Sequence, residues 1–380
     1  MERCPFELWG KIVAFACTDG GHTGCSLSLV SRTMHDVVKP VRYHSVSLVG
    51  ERQLHAFVAR LAALNLPPVI HHLFISVEMP RYNTMTIMEE SLALEVLETA
   101  QAKPTSKTEM ELMMRNILSS SASNLYSLVI HNYYDFDLTV NLPDFPLLHD
   151  ITIGYVPSDC AADAHARFPS LRRLHLLSIS RRMPVCWLKL RDFAPHITHF
   201  RMSSLSLDRH ISPFLRILLD IPPPLCPRRS RDDCFSGKYI HYRSGSEKAK
   251  QAVIVASRLS TLEYVYVQPR VDCPSGRRAP GHLAHNQMMD GLKSIASASA
   301  RGEGVGKFFL MPQQEFYTLD DLHKDWIETV EGNDGPWPGG RGDSLSAVVR
   351  AKWPEEHPAY HPLPSSLPAG TQRVPWRQLF

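Results

Sequence analysis

Apolar and polar positions run along this chain in two different rhythms, and the change from one to the other divides it. Between Phe6 and Cys17 the only charged side chains are Glu7 and Lys11. The apolar residues there fall into two adjacent helical stripes: Leu8, Ile12 and Phe15 in one, Trp9, Val13 and Ala16 in the other. Pro5 stands at the first turn, where a missing N–H costs nothing. Beyond a Gly-rich turn at 18–24, Leu27, Val30, Met34 and Val37 repeat at helical spacing until Pro40 ends the run. A unit of two or three such short helices is marginal on its own. Its surplus apolar surface calls for a cover, supplied by a partner or by later parts of the same chain.

A connecting region follows. Val41 to Leu48 reads as a strand or an extended exit, and Leu54, Phe57, Val58, Leu61 and Leu64 mark an amphipathic helix stopped by Pro67 and Pro68. Ile70 to Ile75 reads as a strand and Met88 to Ala102 as a helix. Thr108-Glu109-Met110-Glu111 has capping-box spacing and opens a further helix to about Ser119.

The second rhythm is a repeat. Leu125-x-x-Leu128-x-Ile130, Leu148-x-x-Ile151-x-Ile153, Leu171-x-x-Leu174-x-Leu176 and Ile197-x-x-Phe200-x-Met202 begin 23, 23 and 26 residues apart. That period and that core are those of leucine-rich repeats, in which each repeat lays one short parallel strand beside the last. Ile70-Leu73-Ile75 and Leu262-Val265-Val267 carry the same pattern off-period, as extra strands at either end. The positions where a regular repeat carries Asn or Cys hold Tyr133, Val156, Ile179 and Leu205, so the expected stack is irregular. A generic α/β domain with similarly written strands is the other architecture this pattern allows.

Short helical pieces are expected between strands, at Ser158 to Arg167, Ser212 to Asp220 and Glu247 to Arg258. Residues 222–236 and 269–281 read as Pro/basic loops. Gly281 to Ala300 reads as a helix and Phe308 to Met311 as a strand. Leu319 to Val330 reads as a closing helix, with Leu322, Trp326, Ile327 and Val330 as the buried face of a cap over the last repeat. From Gly332 the composition turns to Gly, Pro, Asp and Arg, as in a loose tail. The expected divisions are 1–48, a small helical domain; 49–120, a helical connector with one strand; 121–331, the repeat region with its cap; and 332–380, the tail.

The N-terminal residues resemble a known family. Cys4-Pro5-Phe6-Glu7-Leu8, then Ile12, then Leu29-Val30-Ser31-Arg32-Thr33-Met34 with Pro40 and Tyr43 beyond, look like an F-box. The middle, Ala16-Cys17-Thr18-Asp19-Gly20-Gly21 and Gly24 to Arg32, is similar to the F-box-like proteins of mushroom-forming fungi. Cys4 stands where the family has Leu and Met34 where it has an aromatic; both remain apolar. The resemblance covers residues 4–48 and implies an F-box-like helical domain; with the repeat that follows, the expected fold is of α+β or α/β type, that domain leading into a divergent leucine-rich-repeat-like solenoid. The resemblance also implies a non-catalytic substrate adaptor of an SCF ubiquitin ligase. Pro5, Leu8, Trp9, Ile12, Leu29, Val30 and Met34 would bind the Skp-family linker protein, and through it a cullin scaffold.

Composition narrows the alternatives. A net charge of +3 over 380 residues sets up no global field for nucleic acid or membrane. No leading signal and no run long enough to span a bilayer are read, so the expected location is intracellular, in cytoplasm or nucleus. The eight cysteines include no Cys-x-x-Cys and are expected as reduced thiols. Cys17, His22 and Cys25 form the one tight Cys/His cluster, but it lacks a fourth ligand, so no metal and no cofactor are expected. Gly302-x-Gly304-x-Gly306 lacks the Lys-Ser/Thr that a phosphate loop needs. Arg341-Gly342-Asp343 is a coincidental triplet, and no catalytic constellation is read.

In L-x-x-L-x-L the leucines point inward, so alternate residues face the other side of each strand. Val129 and His131, Thr152, Arg173 and His175, His199 and Arg201, and Tyr264 and Tyr266 are the expected target-binding surface, since clustered aromatic, Arg and His side chains are enriched at protein-binding hot spots. The competing reading is a repeat-built interaction module whose F-box-like start is structural, its apolar surplus packed on the helix from Leu54 to Leu64.

Overall fold

Eight strands, each begun by the same apolar spacing, pair in parallel and in chain order to make one α/β sheet. The computed structural model describes residues 6–64, 67–77, 106–132, 143–154, 168–177, 194–205, 211–222, 261–271, 280–314 and 317–337. Three short helices come first: α1 (Phe6–Ala16), α2 (His22–Ser28) and α3 (Arg32–Val38). Then follow β1 (Ser45–Val49), α4 (Glu51–Ala62), β2 (His72–Val77), α5 (Lys107–Ser121), β3 (Ser127–Asn132), β4 (Asp150–Ile153), β5 (Arg173–Leu177) and β6 (His199–Leu205). The described chain closes with α6 (Ile211–Leu218), β7 (Tyr264–Pro269), α7 (Pro280–Ala300), β8 (Lys307–Leu310) and α8 (Leu319–Val330).

The register explains the repeat. Leu73, Leu128, Ile151, Leu174, Phe200, Val265 and Phe308 are successive Cα partners across the sheet. Ile75, Ile130, Ile153, Leu176, Met202, Val267 and Leu310 form a second such rung. The two off-period segments therefore join in register as β2 and β7. Val46 and Leu48 of β1 extend both rungs. The leading residue of each unit, Ile70, Leu125, Leu148, Leu171, Ile197 and Leu262, is buried just before its strand. Each apolar side chain thus meets its counterpart from the neighbouring unit, and α4, α5, α6 and α7 close this face into one core.

Helix signals hold with local shifts. The cap of α5 is Ser106, whose hydroxyl accepts from the Glu109 N–H at 3.2 Å, so the helix starts earlier than the Thr108 signal placed it. The helices expected at 88–102, 158–167 and 247–258 lie wholly or largely outside the described residues.

The segment expected as a cap goes elsewhere. After β8 the chain crosses the opposite face of the sheet, where Leu322, Trp326 and Val330 of α8 pack on Phe74, Val129 and Leu177. It then turns back to set Trp337 against His175, His199 and Tyr266. The physical reason is that a wholly parallel sheet needs cover on both faces, and α8 supplies an apolar stripe started by a Thr318/Asp321 capping box. In the stretch expected as a loose tail, Pro336 and Trp337 are consequently packed and buried. The rest of 332–380, from Pro338 onward, lies outside the described residues.

Gly304, in the turn between α7 and β8, takes a left-handed backbone at φ +87°. A Cβ there would sit 2.3 Å from the Leu219 carbonyl oxygen. Gly304→Ala is expected to lower stability by about 3 kcal/mol, combining backbone strain and displacement of that carbonyl. A denaturant midpoint unchanged from the parent's would refute this.

Candidate docking surfaces

The N-terminal helices present the first surface. Val13 and Cys17 pack with Met34, Val37 and Val38 in a small core of their own, and Trp9 lies against it half-buried. Trp9 and Val13 of α1's second stripe therefore point inward, while Ala16 is exposed. The first points outward: Leu8 is 48% exposed, Ile12 53% and Phe15 83%. Leu29 and Val30, between α2 and α3, are 85% and 62% exposed. Of the residues expected to bind a linker protein, Leu8, Ile12, Leu29 and Val30 are free to do so. Met34 is buried, which corrects its assignment: its side chain builds the core beneath the surface. Pro5 lies outside the described residues. Phe15, on the same stripe as Leu8 and Ile12, is exposed with them.

These helices are tied to the sheet by the turn between α1 and α2. The Ser45 hydroxyl donates to the Cys17 carbonyl at 2.8 Å and accepts from the Gly20 N–H at 3.0 Å. A Cβ on Gly20 would lie 2.7 Å from Ser47 Cβ, so glycine permits the approach. Helix α4 does not cover the exposed stripe; it buries Leu54 and Phe57 in the main core.

The second surface is the sheet face opposite the main core. The expected target-binding residues do share it: Val129, Thr152, His175, Arg201 and Tyr266 are consecutive register partners, as are Arg173, His199 and Tyr264 one row away. The inner row is not an open surface. Val129, Thr152, His175, Arg201 and Tyr266 are buried. Helix α8 and the segment to Trp337 lie over this face and cover much of that row. The outer row stays partly exposed. Arg173 forms a two-pronged ion pair with Asp150, one bond at 2.8 Å, and His199 stacks on Tyr264 at 4.8 Å between ring centres. His131 bonds the Ser76 hydroxyl through Nδ1 at 3.2 Å.

Polar chemistry is concentrated beneath the cover. The Arg201 guanidinium donates to the Ser203 hydroxyl at 3.1 Å, to the Gln268 side chain at 3.3 Å and to the Pro336 carbonyl, and lies over the Tyr317 ring. Burial pushes its pKa down to about 10, which leaves it charged at neutral pH. His175 bonds the Ser203 hydroxyl through Nε2 at 2.8 Å, and burial, with the nearby Arg201, keeps it neutral. Burial pushes the Asp325 carboxyl of α8 up to about 6, against the pull of Arg201.

At the start of β2, His72 Nδ1 bonds the Ser127 hydroxyl at 2.8 Å, and burial, with His44 and His71 adding to it, lowers its pKa to about 3. A folded-state pKa below the unfolded value means that stability present above pH 6.5 is lost as pH falls toward 3. From pH 7 to 5 this one group is expected to remove about 2 kcal/mol. In paired denaturation curves, His72→Gln should show that much less acid sensitivity than the parent; equal slopes would refute the assignment.

No group of three or more His, Cys, Asp or Glu among the described residues is placed to hold a metal. At Gly304 and Gly306 the space a side chain would take is filled by the carbonyl oxygens of Leu219, Leu262 and Glu263, which repel rather than cradle a phosphate. No described helix is long and apolar enough to cross a membrane.

No protein-family model matches the chain, and neither does any curated protein or solved structure.

Proposed function

We propose that this chain is an F-box-type substrate adaptor of an SCF ubiquitin ligase, working in cytoplasm or nucleus. The observation that carries the reading is the uncovered apolar stripe of Leu8, Ile12 and Phe15, seated on a helical core that already satisfies itself. A stripe that none of the other described elements covers is available to a partner. In this reading the stripe, with Leu29 and Val30, docks the Skp-family linker and through it the cullin scaffold. The in-order parallel sheet is then the strand stack of an irregular leucine-rich-repeat-like solenoid, supported by the rung-by-rung register of its apolar residues. Such an adaptor is not itself catalytic. It raises the effective concentration of a target lysine near the charged conjugating enzyme.

The test is co-purification of the full chain with a Skp-family linker, beside Leu8→Asp and Ile12→Asp. Capture by the parent and loss in both folded variants is the expected result. A folded parent that captures no linker would overturn the reading. It would leave a repeat-built interaction module whose N-terminus is structural, a role consistent with the Ser45 and Gly20 contacts that fasten those helices to β1.

A further inference from the structure

We propose that the sheet face beneath α8 is a helix-binding groove whose resident helix is exchangeable. The partner it fits is an amphipathic helix with the same pattern: an aliphatic residue, a Trp four positions on preceded by an acidic residue, and an aliphatic residue four further. In the resident helix these are Leu322, Asp325, Trp326 and Val330.

The resident's seat is separate from the rest of the fold. Its apolar contacts form a cluster that shares no residue with the main core. Helix α8 and helices α4 to α7 therefore pack on opposite faces of the sheet. The seat is also polar. Ser127, Thr152 and His175 line the cavity under the helix, and the buried Arg201 and Ser203 lie beside it.

The seam is incompletely satisfied. Of the four buried side-chain polar atoms without a hydrogen-bond partner among the described residues, three are here: His175 Nδ1, Tyr317 Oη and Trp326 Nε1. His175 and Trp326 line a cavity of about 20 Å³ shared with Thr152, Asp325 and Trp337, room for one water. Each orphan lowers the free-energy cost of lifting the helix, because it regains water when exposed. Charge complements the fit, since α8 brings Asp325 toward Arg201 on the sheet. An apolar stripe in a groove with a polar anchor is the helix-in-groove mode of recognition.

This deepens the adaptor reading by naming the class of target, yet its test needs no linker. The probe is a fluorescent synthetic peptide of residues 317–331, added to the full chain. The parent, its groove filled, is expected to bind weakly. Trp326→Ala, which loosens the resident, is expected to bind at least 10-fold more tightly, and adding Val129→Asp to that variant should abolish binding. A folded Trp326→Ala chain that binds no better than the parent overturns the proposal. Hydrogen exchange on the parent gives an arm that needs no variant. A detached helix of this length loses its protection, so amides of α8 should exchange at least 10-fold faster than those of β4 to β6. Exchange of α8 together with the sheet also overturns the proposal. Peptide exchange without linker capture would refute the adaptor alone; capture without exchange would refute the groove alone.

Discussion

Ile12→Asp is expected to abolish capture of the Skp-family linker, a loss of at least 100-fold in affinity, while leaving thermal unfolding of the chain unchanged. Ile12 is 53% exposed, so the substitution removes little intramolecular packing. In a docked state the same side chain lies at the centre of the stripe between Leu8 and Phe15. A carboxylate there would be stripped of water with no cationic partner, at a cost of several kcal/mol. The adjacent residue behaves oppositely. Val13 is buried against Met34, Val37 and Val38, so Val13→Asp should unfold the three helices and lose binding for a different reason. Reading both variants by calorimetry and by linker capture separates the two causes. If Ile12→Asp binds as the parent does, the stripe is not the docking surface.

Phe200→Ala is expected to destabilise the sheet by about 3–5 kcal/mol. Phe200 is fully buried on β6, between Leu174 and Val265 on the neighbouring strands. Truncation removes the buried ring and leaves a cavity that neighbours held in register on both sides cannot fill. Phe15→Ala, a change of the same chemistry at 83% exposure, should shift stability by no more than about 0.5 kcal/mol. Urea titration distinguishes these outcomes. A loss below about 1 kcal/mol for Phe200→Ala would mean that this rung is not part of a close-packed core.

The parts of the fold legible in the sequence are those where one local rule decides the outcome. Each L-x-x-L-x-L unit places apolar groups on one side of a strand, and successive units at similar spacing stack those groups in rungs. Tyr43-x-x-Val46-x-Leu48 and Val305-x-x-Phe308-x-Leu310 carry the same spacing and became β1 and β8. The Leu319–Val330 helix and its stripe were also legible. Its destination was not, because that depends on residues far away in sequence. His323 meets the Ser47 hydroxyl at 3.3 Å and packs edge-on against Phe74. No local pattern in 319–330 distinguishes a cap at the end of a sheet from a strap across its face.

The candidate site divides in the same way. By itself the sequence determined that α1 has two apolar stripes, that alternate strand residues share a second face, and that Arg201, His175 and Tyr266 belong together on it. Only the tertiary structure decided which of these surfaces is free. Packing of α3 against Trp9 and Val13 left Leu8, Ile12 and Phe15 to solvent, and α8 with Trp337 covered the middle of the sheet. Periodicity sets which side chains share a face, because that follows from backbone geometry. What lies on the face is a competition among all the apolar surfaces in the chain, and it is resolved only when they meet.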